Sequence, residues 1–107
     1  MKELYQAIKE HSNLEDETII EAGNHGADCG FSGFIYNADC IEFWDDNNTL
    51  LQEWAQEQAE EFGHNNWLEM FSTFGRSDML EIKDGFKVLG AWFALEEVGR
   101  WLENGGE

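Results

Sequence analysis

The stretch "GFKVLGAWFALEEVGRWLE", residues 85–103, decides the fold. It is apolar nearly all round as far as Leu95. A surface helix keeps a polar face, whereas a helix apolar on all sides belongs at the centre of a bundle. Gly90 and Ala94 lie about one turn apart on it and are small enough to let a neighbouring helix approach closely. The chain has no proline, so nothing forces an early stop here or elsewhere.

Working outward, the rest of the chain supplies the helices that surround this one. Residues 2–11 favour helix, with Leu4, Ile8 and His11 on one side. A short helix follows in "SNLEDETIIEAG" (12–23), where Asn13 can cap the N-terminus and Gly23 sits where a C-cap glycine belongs. Asp39 and Glu42 form a D-x-x-E capping pattern at the head of a helix running from about 40 to 62, open to a break near "DDNN" (45–48) and ended by Gly63. Asn66 and Glu69 repeat the pattern before "WLEMFSTF" (67–74), which Gly75 ends. "RSDMLEIKDG" (76–85) is a connector, and "ENGGE" (103–107) reads as a frayed tail. The expected fold is mainly α: a single small acidic domain, 1–107, in which about five short helices surround a buried C-terminal helix. There is room for one short β-hairpin, should "FSGFIY" (31–36) pair with "MLEIK" (79–83).

Composition bounds the function. At 107 residues the chain suits one core rather than two, and its five Trp and eight Phe are more aromatic surface than a disordered chain carries. No apolar run approaches the ~18–20 residues that span a bilayer, and "MKELYQAIKEHS" (1–12) has no apolar stretch for a secretory signal. The expected setting is therefore cytoplasmic, with no membrane partner. Two cysteines, Cys29 and Cys40, are too few for a disulfide framework. The charge is the sharpest signal: six basic residues stand against 23 acidic ones, −17 in total. From Glu10 to Gly75 there are fifteen acids and no Lys or Arg, which leaves few of those carboxylates a partner within the chain.

"NHGADCGFSGFIYNADC" (24–40) crowds the residues that usually carry chemistry. As a phosphate loop it fails, because its glycines keep neither dinucleotide nor P-loop spacing and no cation lies nearby. As a metal site, His25, Asp28, Cys29 and Cys40, with His64 at a distance, offer suitable atoms in a spacing that matches no common zinc pattern. Asp45 and Asp46 suggest a calcium loop, but Leu50 and Leu51 fall where a ligand and the turn glycine are needed. A Cys29–His pair for nucleophilic catalysis lacks the positive surroundings that a thiolate needs. The scaffold reading places Phe31, Phe34, Ile35 and Ala38 on a core-facing helical stripe, with the glycines in a sharp turn. No cofactor or catalytic residue is expected.

The acidic helix reads differently. Asp46, Glu53, Glu57, Glu60 and Glu61 fall along one face, with Ile41, Trp44, Leu51, Ala55 and Phe62 on the other. A solvated face normally intersperses lysine, and this one has none. Carboxylates spaced a few ångströms apart imitate the phosphates of a nucleic acid. The expected partner is a host nucleic-acid-binding protein with a basic groove, met by Asp45, Asp46, Glu53, Glu57, Glu60 and Glu61, with Glu15, Asp16 and Glu17 as a second patch. Direct nucleic-acid binding is not expected of so acidic a chain. Two other readings remain open: a small metal-binding or catalytic protein using His25, Asp28, Cys29 and Cys40, and an accessory protein whose acidity only gives solubility. The chain is either a monomer or a homodimer.

"HGADCGFSGFIYNAD" (25–39), followed by an acidic amphipathic helix and then "AWFALEEVGRWL" (91–102), resembles a family of small acidic proteins of bacteriophages and prophage-bearing bacteria. The resemblance covers most of the chain from about residue 19. It transfers no catalytic or binding residue, but it implies a phage or mobile-element setting. By analogy of charge and size, the expected activity is inhibition of CRISPR or restriction machinery in the infected cell.

Overall fold

Nineteen residues with an almost unbroken apolar surface form the longest helix, α6 (Gly85–Glu103), and ten of them are buried. The computed structural model describes residues 1–12, 14–25, 37–74 and 77–106. Among these, α6 is preceded by α1 (Lys2–Ser12), α2 (Asp16–His25), α3 (Asn37–Asp46), α4 (Asn48–Glu61) and α5 (Trp67–Phe74). Each of the five touches α6. The fold is thus mainly α, a bundle of short helices around a buried C-terminal one.

The close approaches are made by glycines. α2 lies closest against α6, where Gly99 faces the backbone of Ile19 and Gly23. A Cβ on Gly99 would sit 3.0 Å from the Gly23 nitrogen and closer still to the Ile19 carbonyl oxygen; one on Gly23 would meet the Glu96 carbonyl at 2.9 Å. Gly23 therefore does not end α2, which continues to His25; its missing side chain lets two backbones meet. Gly90 also admits a neighbour, but a side chain rather than a helix backbone: the six-membered ring of Trp44 fills the space a Cβ would need, with Cε3 at 2.7 Å.

Trp44 organises one end of the core. It is fully buried, and its ring lies 5.5 Å from Trp67, 6.3 Å from Phe71 and 5.8 Å from Phe86. Its indole N–H donates to Asn48 Oδ1 at 2.9 Å across the break between α3 and α4. The break falls at Asn47, within "DDNN". There the Asn47 backbone N–H is shared between the carbonyls of Phe43 and Trp44, and its side-chain amide donates to Phe43 O at 3.1 Å.

Helix ends follow the sequence signals in part. Gly63, at φ 83°, ends α4 with paired bonds from Gly63 N to Glu60 O and from His64 N to Ala59 O, the Schellman arrangement. Asn66 caps α5, its Oδ1 accepting from Glu69 N at 2.9 Å, while the Glu69 carboxylate turns to the Asn65 amide instead of closing the box. α3 begins at Asn37, so Asp39 lies inside the first turn rather than before it. The frayed tail is also corrected: Gly105 N and Gly106 N bond back to Leu102 O and Trp101 O and cap α6.

No strand occurs among the described residues. Ser77–Glu81 form a 3-10 helix, because the chain must reverse before α6, and it does so by tucking the Met79 backbone against Gly85. "FSGFIY", the other half of the expected hairpin, lies outside the described residues, as do the Asn13 cap and Phe31, Phe34 and Ile35 of the expected stripe. Ala38, the member of that stripe that is described, is exposed.

Candidate functional site

α4 carries no basic residue. Glu53, Glu57, Glu60 and Glu61 are all exposed, and none forms an ion pair among the described residues. At ~100° per residue the four fall within an arc of about 100°, with successive steps along the axis of about 6, 4.5 and 1.5 Å. The opposite side of α4 buries Leu51, Trp54, Ala55 and Ala59. Phe62, expected on that apolar side, is 48% exposed, because the helix has ended and Phe62 serves as its C-cap.

The expected row does not run on unbroken. Asp45 and Asp46 belong to α3, beyond the break at Asn47. Asp45 is compensated: Lys87 Nζ lies 2.6 Å from its carboxylate and 3.5 Å from that of Asp84. The hydrogen bond to Asp45 is the largest cause holding the Lys87 ammonium above its ordinary pKa. In the second patch, Glu15, Asp16 and Glu17 are exposed, but Asp16 is a clip between helices. It accepts from the Tyr5 hydroxyl at 2.8 Å and from Lys9 at 3.3 Å, and the Tyr5 bond raises the phenol's pKa. Lys9 also donates to Leu14 O at 2.6 Å, closing the α1–α2 turn.

Of the sequence-predicted metal set, Asp28 and Cys29 lie outside the described residues. His25 is exposed at the end of α2, and Cys40 is buried in the core. Burial, followed by the adjacent Asp39 charge, pushes the Cys40 thiol up to about 12, with a hydrogen bond involving Trp92 working in the other direction. His64, half-buried, lies 3.5 Å from Glu69. Among the described residues, neither His25, Cys40 nor His64 belongs to a group of three converging ligands.

The raised thiol has a testable consequence. In Cys29→Ser protein, which leaves Cys40 as the only thiol, alkylation at pH 8 is expected to follow global unfolding rather than thiolate formation in the native state. Since the folded pKa lies above the ordinary value near 9, the neutral thiol favours the fold below pH 9, and this contribution is lost as pH rises from 9 towards 12. Fast labelling of fully folded protein contradicts this burial.

A convergence that the sequence did not reveal lies at the α1–α3 junction. The ligand atoms of His11, Glu42 and Asp46 are all within 4.8 Å of one another. Glu42 and Asp46 are one turn apart on α3, and the His11 ring packs edge-on against Phe43 at 5.4 Å. The three open onto a cleft of about 400 Å³ that Ala7, Glu10 and Asn47 also line. The i,i+4 spacing of Glu42 and Asp46 was legible; that His11 faces them follows only from how α1 docks.

No helix among the described residues is long and apolar enough to cross a membrane. A family model described as a domain of unknown function (DUF7222) matches residues 2–107. No curated protein and no solved structure matches the chain.

Proposed function

Since the chain belongs to the DUF7222 family, whose description carries no activity, we propose from its surface that it acts as a non-enzymatic nucleic-acid mimic. It occupies the basic groove of a host nucleic-acid-binding defence protein of the restriction or CRISPR kind. The observation that carries this reading is the α4 face: Glu53, Glu57, Glu60 and Glu61 stand exposed without an ion pair among the described residues. The helix fixes their backbone positions, so only the side chains must order when a partner binds. Like charges one turn apart destabilise a helix by a few tenths of a kcal/mol per pair. A basic groove relieves that repulsion and releases its own counterions, as it does on binding phosphate. A net charge of −17 also steers association at low salt. Glu15 and Glu17 extend the acidic surface, whereas Asp45 and Asp16, already paired within the chain, contribute less. Phe62, exposed at the end of the acidic helix, supplies an apolar anchor. The setting is the cytoplasm of an infected or prophage-bearing bacterial cell.

The test is capture from nuclease-treated host lysate at about 50 mM salt. The reading expects a nucleic-acid-binding protein that duplex or single-stranded DNA displaces from the column. The triple variant Glu53→Lys, Glu57→Lys, Glu60→Lys is expected to lose at least tenfold in affinity, and Asp45→Asn about twofold or less. Binding that persists at about 500 mM salt, or that the triple reversal leaves unchanged, sinks the mimicry reading and returns the acidity to a role in solubility.

A further inference from the structure

The cleft between α1 and α3 gathers donors of two kinds, an imidazole and two carboxylates, from two different helices. We infer that His11, Glu42 and Asp46 form a binding site for a divalent transition-metal ion of the zinc class, independent of the mimicry on α4.

Geometry supports the site first. Glu42 and Asp46 share one face of α3, so a single ion can reach both carboxylates without bending the helix. His11 approaches from the last turn of α1, and the Phe43 ring against its side limits the imidazole's rotation. Zinc ligands at ~2.0–2.2 Å from the metal lie roughly 3.3–3.6 Å apart. Ligand atoms that already sit within 4.8 Å reach that spacing by side-chain rotation.

Charge supports it next. Glu10 joins Glu42 and Asp46 in lining the cleft, and no lysine or arginine lines it among the described residues. A divalent cation offsets that local excess. The donor set selects the metal: an all-oxygen cage would favour calcium or magnesium, whereas an imidazole nitrogen with carboxylates suits zinc and its neighbours. Three protein ligands would leave a fourth tetrahedral position for water.

The site also has a mechanical consequence. α1 is held by its buried Leu4, Ala7 and Ile8 and by the Tyr5 and Lys9 links to Asp16. A metal bridging His11 to α3 would tie its C-terminal end as well. Binding therefore stabilises the fold in proportion to the logarithm of free metal over Kd.

Chelator-treated protein is titrated with zinc, manganese and magnesium chlorides by calorimetry, and its melting temperature is followed in parallel. One zinc ion per chain is expected to bind and raise the melting temperature, with magnesium at least a hundredfold weaker. His11→Ala and Glu42→Gln are each expected to weaken zinc at least tenfold, while Glu57→Gln on α4 leaves it unchanged. Both residues are partly or wholly exposed, so far-ultraviolet circular dichroism should confirm folded variants. A cobalt-substituted sample is expected to show no thiolate charge-transfer band. Several weak, equivalent ions that magnesium displaces would overturn the site, as would zinc affinity that survives His11→Ala. A thiolate band lost on Cys29→Ser would instead place the metal on the cysteine-bearing segment.

Discussion

Gly99→Ala is expected to lower stability by about 2 kcal/mol and the melting temperature by roughly 8 °C. The added methyl meets the Ile19 carbonyl oxygen inside contact distance, with the Gly23 nitrogen at 3.0 Å and the Gly23 Cα at 3.1 Å. All three are backbone atoms of α2 and cannot rotate away. The helix must shift, and with it the fully buried Ile19 and Ala22 that hold it to the core. Overpacking costs about 1–3 kcal/mol, with the upper end expected where both sides are backbone. Alanine's better helix propensity offsets only about 1 kcal/mol of the strain. Thermal unfolding followed by circular dichroism measures the net effect, with Gln6→Ala on the exposed side of α1 as a control that moves stability by less than about 0.5 kcal/mol. A melting temperature at or above the wild-type value would mean that α2 does not pack on α6 through these glycines.

That contact marks where the sequence stops being informative. The place of α6 was legible because an all-round apolar helix is a local signal, readable without knowing its neighbours. The break at Asn47 and the end at Gly63 were legible for the same reason: turn-forming residues act on their own backbone. Gly23 was misread because a glycine near the end of a helical pattern looks like a cap, and only the opposing Gly99 shows that it is a point of approach. "MLEIK" was misread because its apolar residues suit a strand, whereas the reversal into α6 holds Met79–Glu81 in a 3-10 helix. On the acidic surface, the α4 face followed from spacing alone. The loss of Asp45 to Lys87 did not, since the two are 42 residues apart and meet only when α6 docks on α3. The His11 cluster was hidden for the same reason.

Trp44 is where the largest side-chain effect is expected. Trp44→Ala removes a fully buried indole that touches Trp67, Phe71 and Phe86 and donates to Asn48. Emptying such a site costs about 3–5 kcal/mol, with an expected fall in melting temperature of roughly 12–20 °C. The magnitude alone would only show that Trp44 is buried; the sharper result concerns Gly90. In the wild-type background, Gly90→Ala drives a methyl into the Trp44 ring, 2.7 Å from Cε3, and is expected to destabilise by about 1–3 kcal/mol. In a Trp44→Leu background the ring is gone. The nearest remaining neighbour is Phe71 Cε2 at 3.2 Å, the tip of a ring that can yield by a few tenths of an ångström. There Gly90→Ala is expected to become neutral or stabilising by up to about 1 kcal/mol, because alanine is the better helix former and fills part of the cavity. The cycle therefore predicts a coupling of about 1–4 kcal/mol between a residue on α3 and one on α6. Additive effects of the two substitutions would mean that the indole does not occupy the slot at Gly90, and α3 would have to sit on the central helix in some other register.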